Sequence, residues 1–144
     1  MHATDPEWKW LSVCLRISSD DLDPDGVTKA LGLTPDFTGH KGRHIDGDSS
    51  RAVLETNLWG HTCAEEFTEP FEAQLSDFVA RLEQRGTQLR ALSCRSGVDA
   101  ELLLGFSSSN GQGGFTLTAE LLARISALGL DVTMDLYPAP SEAE

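Results

Sequence analysis

Apolar and polar residues alternate in four stretches of the chain, and between them the apolar spacing changes to that of a helix. Leu11, Val13, Leu15 and Ile17 alternate with Ser12, Cys14 and Arg16, which predicts a strand with one face turned to a core. Trp8 and Trp10 fall on its other phase. A second strand is predicted over Ala52 to Trp59, with Leu54, Thr56 and Leu58 on one side and Val53, Glu55, Asn57 and Trp59 on the other. Ala100, Leu102, Leu104 and Phe106 mark a third strand, and Leu130, Val132, Met134 and Leu136 a fourth, stopped by Pro138.

The helical stretches carry their own punctuation. Asp23 is placed to cap a short helix with Pro24 in its first turn, an apolar stripe of Val27, Ala30 and Leu31, and Gly32 at its end. Pro70 is expected to open a longer helix whose stripe is Phe71, Leu75, Phe78, Val79 and Leu82, with Gly86 breaking it. Leu89 and Leu92 mark a further helical piece. Thr118 is the expected cap of a last helix with Leu121, Leu122, Ile125 and Leu128 on one side and Gly129 as its left-handed terminus. The order is strand, helix, strand, helix with an extension, strand, helix, strand. Clean alternation implies strands covered on one face only, so the expected fold is α+β: a four-stranded, at least partly antiparallel sheet with helices on one side.

With 144 residues the chain is expected to be a single domain able to bury a core without staples, its tails at 1–7 and 139–144 flexible. A formal charge of −12 makes nucleic acid and acidic membrane surfaces unfavourable partners and a basic protein a favourable one. Cys14, Cys63 and Cys94 are odd in number and without CxxC spacing, and the N-terminus lacks a basic segment followed by an apolar one. The expected location is therefore the cytoplasm.

Candidate chemistry is sparse. Asp20, Asp21, Asp23 and Asp25 lack the order of a calcium loop and suit the dipole at a helix start instead. The segment 35–50 shows no period and concentrates His40, Lys41, Arg43 and His44, so it reads as a long loop with a contact surface. His40 and His44 with His61 and Cys63 invite a zinc reading, but Gly39 and Gly42 argue against the helix that would align the two histidines. Neither a metal nor another cofactor is expected. Ser107–Gly114 is a glycine-rich turn between strand and helix, a setting in which backbone N–H groups hold phosphate, yet neither a P-loop nor GxGxxG is present. Ser107 to Ser109, Cys63 and Cys94 lack a nucleophile-elbow or papain-like context, so no catalytic residue is assigned, and a His61–Cys63 enzyme is the least favoured reading.

The order and spacing of Asp20–Asp25, Leu31-Gly32-Leu33, Lys41-Gly42, Trp59, Ser109–Gly114, Leu117–Leu122 and Leu130–Tyr137 resemble the domain of unknown function family 4279 over nearly the whole chain. The resemblance implies a small stand-alone bacterial protein and no established activity. Two functional expectations follow. The first is a non-enzymatic protein-binding module, an immunity protein or other inhibitor of a basic toxin, with Trp8, Trp10, Asp20, Asp21 and Trp59 as contact residues. The alternative is a small-ligand or nucleotide-binding module using Lys41 and Arg43 with Asn110, Gly111 and Gly113.

Overall fold

The computed structural model describes residues 7–138. The expected flexible tails therefore lie, except for Glu7, outside the described residues. In chain order the elements are β1 (Lys9–Ser19), α1 (Pro24–Leu31), β2 (Phe37–Gly39), β3 (Asn57–Thr62), α2 (Glu72–Glu83), α3 (Gly86–Ser93), β4 (Asp99–Ser108), α4 (Ala119–Ala127) and β5 (Asp131–Leu136), with a 3-10 turn at Ile45–Gly47. None of the described helices is long and apolar enough to cross a membrane.

The sheet has five strands rather than the expected four, in the order β2-β3-β1-β4-β5. β1 pairs antiparallel with both β3 and β4, β2 pairs antiparallel with β3, and β5 runs parallel to β4, so the sheet is mixed. The extra strand is only Phe37, Thr38 and Gly39, too short to leave a period in the sequence. Its pairing with β3 defines it. The aromatic ring of Phe37 lies over Gly60, where a Cβ would come within 1.9 Å of it. The second predicted strand is also shifted: Ala52 to Thr56 belong to the connection, where Val53 bridges His44, and the strand begins at Asn57. The segment 35–50, expected to be a long loop, thus pairs with the start of the predicted second strand, with Gly42 N–H donating to the Leu54 carbonyl and Leu54 N–H to the Arg43 carbonyl, both at 2.9 Å.

Capping follows the local chemistry. The Asp23 carboxylate accepts from Asp25 N–H at 3.2 Å and Gly32 ends α1 at φ 65°. Thr118 accepts from Leu121 N–H at 3.1 Å at the start of α4. The longer helix starts at Glu72, two residues after Pro70, and Gly86 opens α3 rather than merely ending α2.

The odd positions of β1, Leu11, Val13, Leu15 and Ile17, are fully or almost fully buried, together with Ala100, Leu102 and Leu104 of β4 and most of each helical stripe, whereas Ala30 of α1 and Leu122 of α4, expected in their stripes, are exposed. The opposite face carries Ser12, Arg16, Ser18, Glu101 and Leu103, all part-exposed. The helices therefore form one layer on one side of the sheet, and among the described residues the other side is open.

Candidate functional site

The open face is not uniform. Near its middle, Arg16 of β1 and Glu101 of β4 stand opposite each other in the ladder and pair at 3.0 Å. Toward the β2 edge, Phe37 covers Gly60. At the other end, where β1 begins and β5 ends, large aromatic side chains are uncovered.

β1 directs alternate residues to opposite faces, so Trp8 and Trp10 share the open one while Lys9 points away, to Glu69 at 3.1 Å. The end of the ladder is pinned: Ser109 N–H donates to the Trp8 carbonyl at 2.9 Å and Trp8 N–H to the Ser109 hydroxyl at 3.1 Å. On β5, Tyr137 continues the phase of Asp131, Thr133 and Asp135, and its N–H donates to the Phe106 carbonyl at 2.9 Å. The Trp10 and Tyr137 rings meet with centroids 5.8 Å apart at an interplanar angle of 60°. They settle over Gly105 of β4, where a Cβ would lie 3.2 Å from Tyr137 and 2.7 Å from the Ser12 hydroxyl. Trp8, Trp10, Ser107 and Tyr137 line a groove of about 450 Å³. Trp8, Trp10 and Tyr137 are 44%, 44% and 48% exposed. The Asp135 carboxylate, accepting a hydrogen bond from the phenol, raises the Tyr137 pKa above its ordinary value, so the ring is neutral at physiological pH.

The other predicted contact residues lie elsewhere. Asp20 and Asp21 follow the far end of β1, about ten strand residues and so roughly 30 Å from the tryptophans. Asp20 pairs with Lys41 at 3.5 Å, and Asp21 accepts from the Ser19 hydroxyl at 3.0 Å. Trp59 corrects the expectation of an exposed contact: it is 0% exposed, opposite Ile17 on the helix-covered side, with its indole N–H donating to the Thr28 hydroxyl. The strand phase placed it opposite the leucines correctly, but the core took the tryptophan side.

The alternative ligand site is not assembled as one site. Lys41 lies beside Asn57 at the β3 start, its N–H donating to the Asn57 side chain at 2.7 Å, and the Arg43 carbonyl accepts from Leu54 N–H in the preceding connection. Gly113 lies against the Lys9 side chain at the opposite end of β1. Asn110 spends its side-chain oxygen inside its own turn, accepting from Gln112 N–H at 2.9 Å, while Gly111 and Gly113 adopt φ 74° and 113°. Loop geometry accounts for these residues.

His61 and Cys63 do not address each other. The His61 ring stacks with Trp59 and Phe78, and its Nδ1–H donates to the Thr34 carbonyl at 2.7 Å. The Cys63 sulfur meets the Arg81 guanidinium at 3.5 Å. Among the described residues, no three His, Cys, Asp or Glu side chains group closely enough to hold a metal ion.

Two residues escaped the sequence reading. Asn57 ties three segments together, donating to the Leu22 carbonyl at 2.8 Å and the Asp20 carbonyl at 3.3 Å while accepting from Lys41. Tyr137 completes the groove. Its phase with Asp131, Thr133 and Asp135 is the signal that places it on the open face.

Among the described residues, a mixed sheet with four helices on one side and an aromatic groove on the other defines an α+β domain. The chain belongs to the family described as Domain of unknown function (DUF4279), whose model matches residues 6–139. No curated protein and no solved structure matches it.

Proposed function

We propose that this protein is a non-enzymatic binding module that receives a basic partner protein on the Trp8, Trp10 and Tyr137 end of its open sheet face. The observation that carries the reading is the grouping of three half-exposed aromatic rings on a face that no element among the described residues covers. Burying such rings supplies most of the energy of a typical interface, because Trp and Tyr bring large area at low entropic cost. The charge of −12 draws a cationic protein toward the surface and speeds encounter. In its finer form, the module is an immunity protein or inhibitor of a basic toxin.

The test is capture at physiological salt by the wild-type chain and by a Trp8→Ser/Trp10→Ser variant of unchanged melting temperature. A partner retained by wild type and by Asp20→Asn/Asp21→Asn, but lost by the double tryptophan variant, is the expected result. Equal capture by all three overturns the placement. For the finer form, the captured partner expressed alone is expected to arrest growth, and co-expression of this chain to relieve it.

A further inference from the structure

We infer that the groove is a receptor for one arginine side chain of that partner, its guanidinium stacking on the exposed rings and pairing with the Asp135 carboxylate. This rests on the binding reading above and names the chemistry of the same site.

Three observations converge. The first is ring geometry. Trp10 and Tyr137 are inclined at 60° with centroids 5.8 Å apart, and Trp8 stands two residues from Trp10 on the same face, so three aromatic rings border the groove. Aromatic faces carry negative quadrupole density, which attracts a cation placed within about 6 Å, indole most strongly.

The second is charge. Asp135 shares the phase of Tyr137, two residues back along the strand, and is exposed, so its carboxylate stands on the same face with lone pairs for another donor. Asp131 lies on the same face of that strand.

The third is that the basic side chains of β1 are committed elsewhere. Lys9 pairs with Glu69 at 3.1 Å and Arg16 with Glu101 at 3.0 Å. The groove thus combines aromatic rings and a carboxylate, and the basic side chains of β1 answer other acids.

Arginine fits better than lysine. Its guanidinium is planar and weakly hydrated, so it stacks on an indole while donating in its own plane to a carboxylate, whereas an ammonium is a compact, strongly hydrated point charge. A proline or leucine side chain would use the rings but not Asp135.

The experiment follows the indole N–H resonances of the full chain by NMR during titration with a blocked Gly-Arg-Gly tripeptide. Citrulline in place of arginine gives a nearly isosteric neutral control, and lysine, leucine and proline tripeptides complete the series. Arginine is expected to move the Trp8 and Trp10 signals and leave buried Trp59 in place, with citrulline binding about tenfold more weakly. Asp135→Asn is expected to lower arginine affinity several-fold without changing citrulline binding. Asp20→Asn, the same charge change at the far end of β1, leaves both unchanged.

Citrulline, leucine or proline binding as well as arginine overturns the inference and makes the groove an apolar receptor, while capture dependent on Trp8 and Trp10 would still stand. No movement with any tripeptide at tens of millimolar overturns it as well. Equal losses from Asp135→Asn and Asp20→Asn would reduce the effect to net charge and remove Asp135 from the site.

Discussion

The indole N–H of Trp59 donates to the hydroxyl of Thr28 at 3.0 Å, joining the fully buried ring of β3 to the middle of α1. Thr28 in turn donates to the Pro24 carbonyl at 3.2 Å, so one hydroxyl answers both a core donor and a helix carbonyl. Thr28→Val keeps the shape and removes the acceptor. Leaving a buried N–H unanswered costs about 1–3 kcal/mol, so the urea midpoint of Thr28→Val is expected to fall with an unchanged slope. Thr28→Ser retains the oxygen and stays within about 1 kcal/mol of wild type. Equal stability of the valine and serine variants would show that the bond contributes nothing.

Gly60 and Phe37 set the edge of the sheet in the same direct way. A Cβ at position 60 would lie 1.9 Å from one ring atom of Phe37 and 2.4 Å from two others, so Gly60→Ala must expel the ring from its place over β3. Forced repacking of this kind costs roughly 1–3 kcal/mol. The expected signature is local as well as global. Deuterium exchange should quicken at Asp36, whose N–H donates to the Gly60 carbonyl at 2.7 Å, and adding Phe37→Ala to Gly60→Ala should recover part of the loss. A double variant no more stable than Gly60→Ala would place the cost in the glycine backbone rather than in the ring.

Where structure follows from neighbouring residues, the chain was readable. The cap at Asp23, the end at Gly32, the cap at Thr118 and the odd phase of β1 each depend on residues within a turn or two. β2 depends instead on a partner some twenty residues away, and three residues leave no period. The side of β3 that becomes core is likewise set across the sheet, by the register that puts Trp59 opposite Ile17. Met134 and Leu136 were expected in the core on alternation alone, yet they are 49% and 69% exposed. They stand on an edge strand, where the pleat still alternates but the helical layer no longer reaches. The candidate site divides similarly. Trp8 and Trp10 share a phase visible in the sequence, whereas their meeting with Tyr137 comes from β4 lying between β1 and β5.

Arg124 links α4 to α2, donating to Glu83 at 2.7 Å and to the Ser76 hydroxyl at 2.8 Å. The hydrogen bond from Arg124 holds the Glu83 carboxyl below the ordinary glutamate pKa. A carboxylate with a depressed folded-state pKa adds stability that is complete above its unfolded value and is lost as pH falls through the folded one. The Glu83 side chain is 39% exposed, so solvent screening keeps the contribution below about 1 kcal/mol. Denaturation midpoints measured from neutral to acidic pH should show wild type losing its advantage over Glu83→Gln below the ordinary glutamate range. A constant difference across that range would mean that charge on Glu83 is not what the pairing uses.

The three free cysteines rank in reactivity by burial. Cys94 is exposed, Cys63 is half-buried beside Arg81, and Cys14 is buried at the centre of the sheet, where Thr62 and Leu103 stand across from it on β3 and β4. Burial raises the Cys14 pKa, because a thiolate loses its hydration there. At mildly alkaline pH Cys14 therefore remains a neutral thiol, and both access and ionisation slow its attack on a disulfide reagent. In the native protein Cys94 is expected to react first and Cys14 only as the sheet opens, so adding denaturant through the unfolding transition should release the missing thiol signal. Comparing Cys94→Ser with Cys14→Ser assigns the phases. Since β1 is the central strand of the β2-β3-β1-β4-β5 sheet, native labelling of Cys14 as fast as Cys94 would require the centre of the sheet to open while the fold persists.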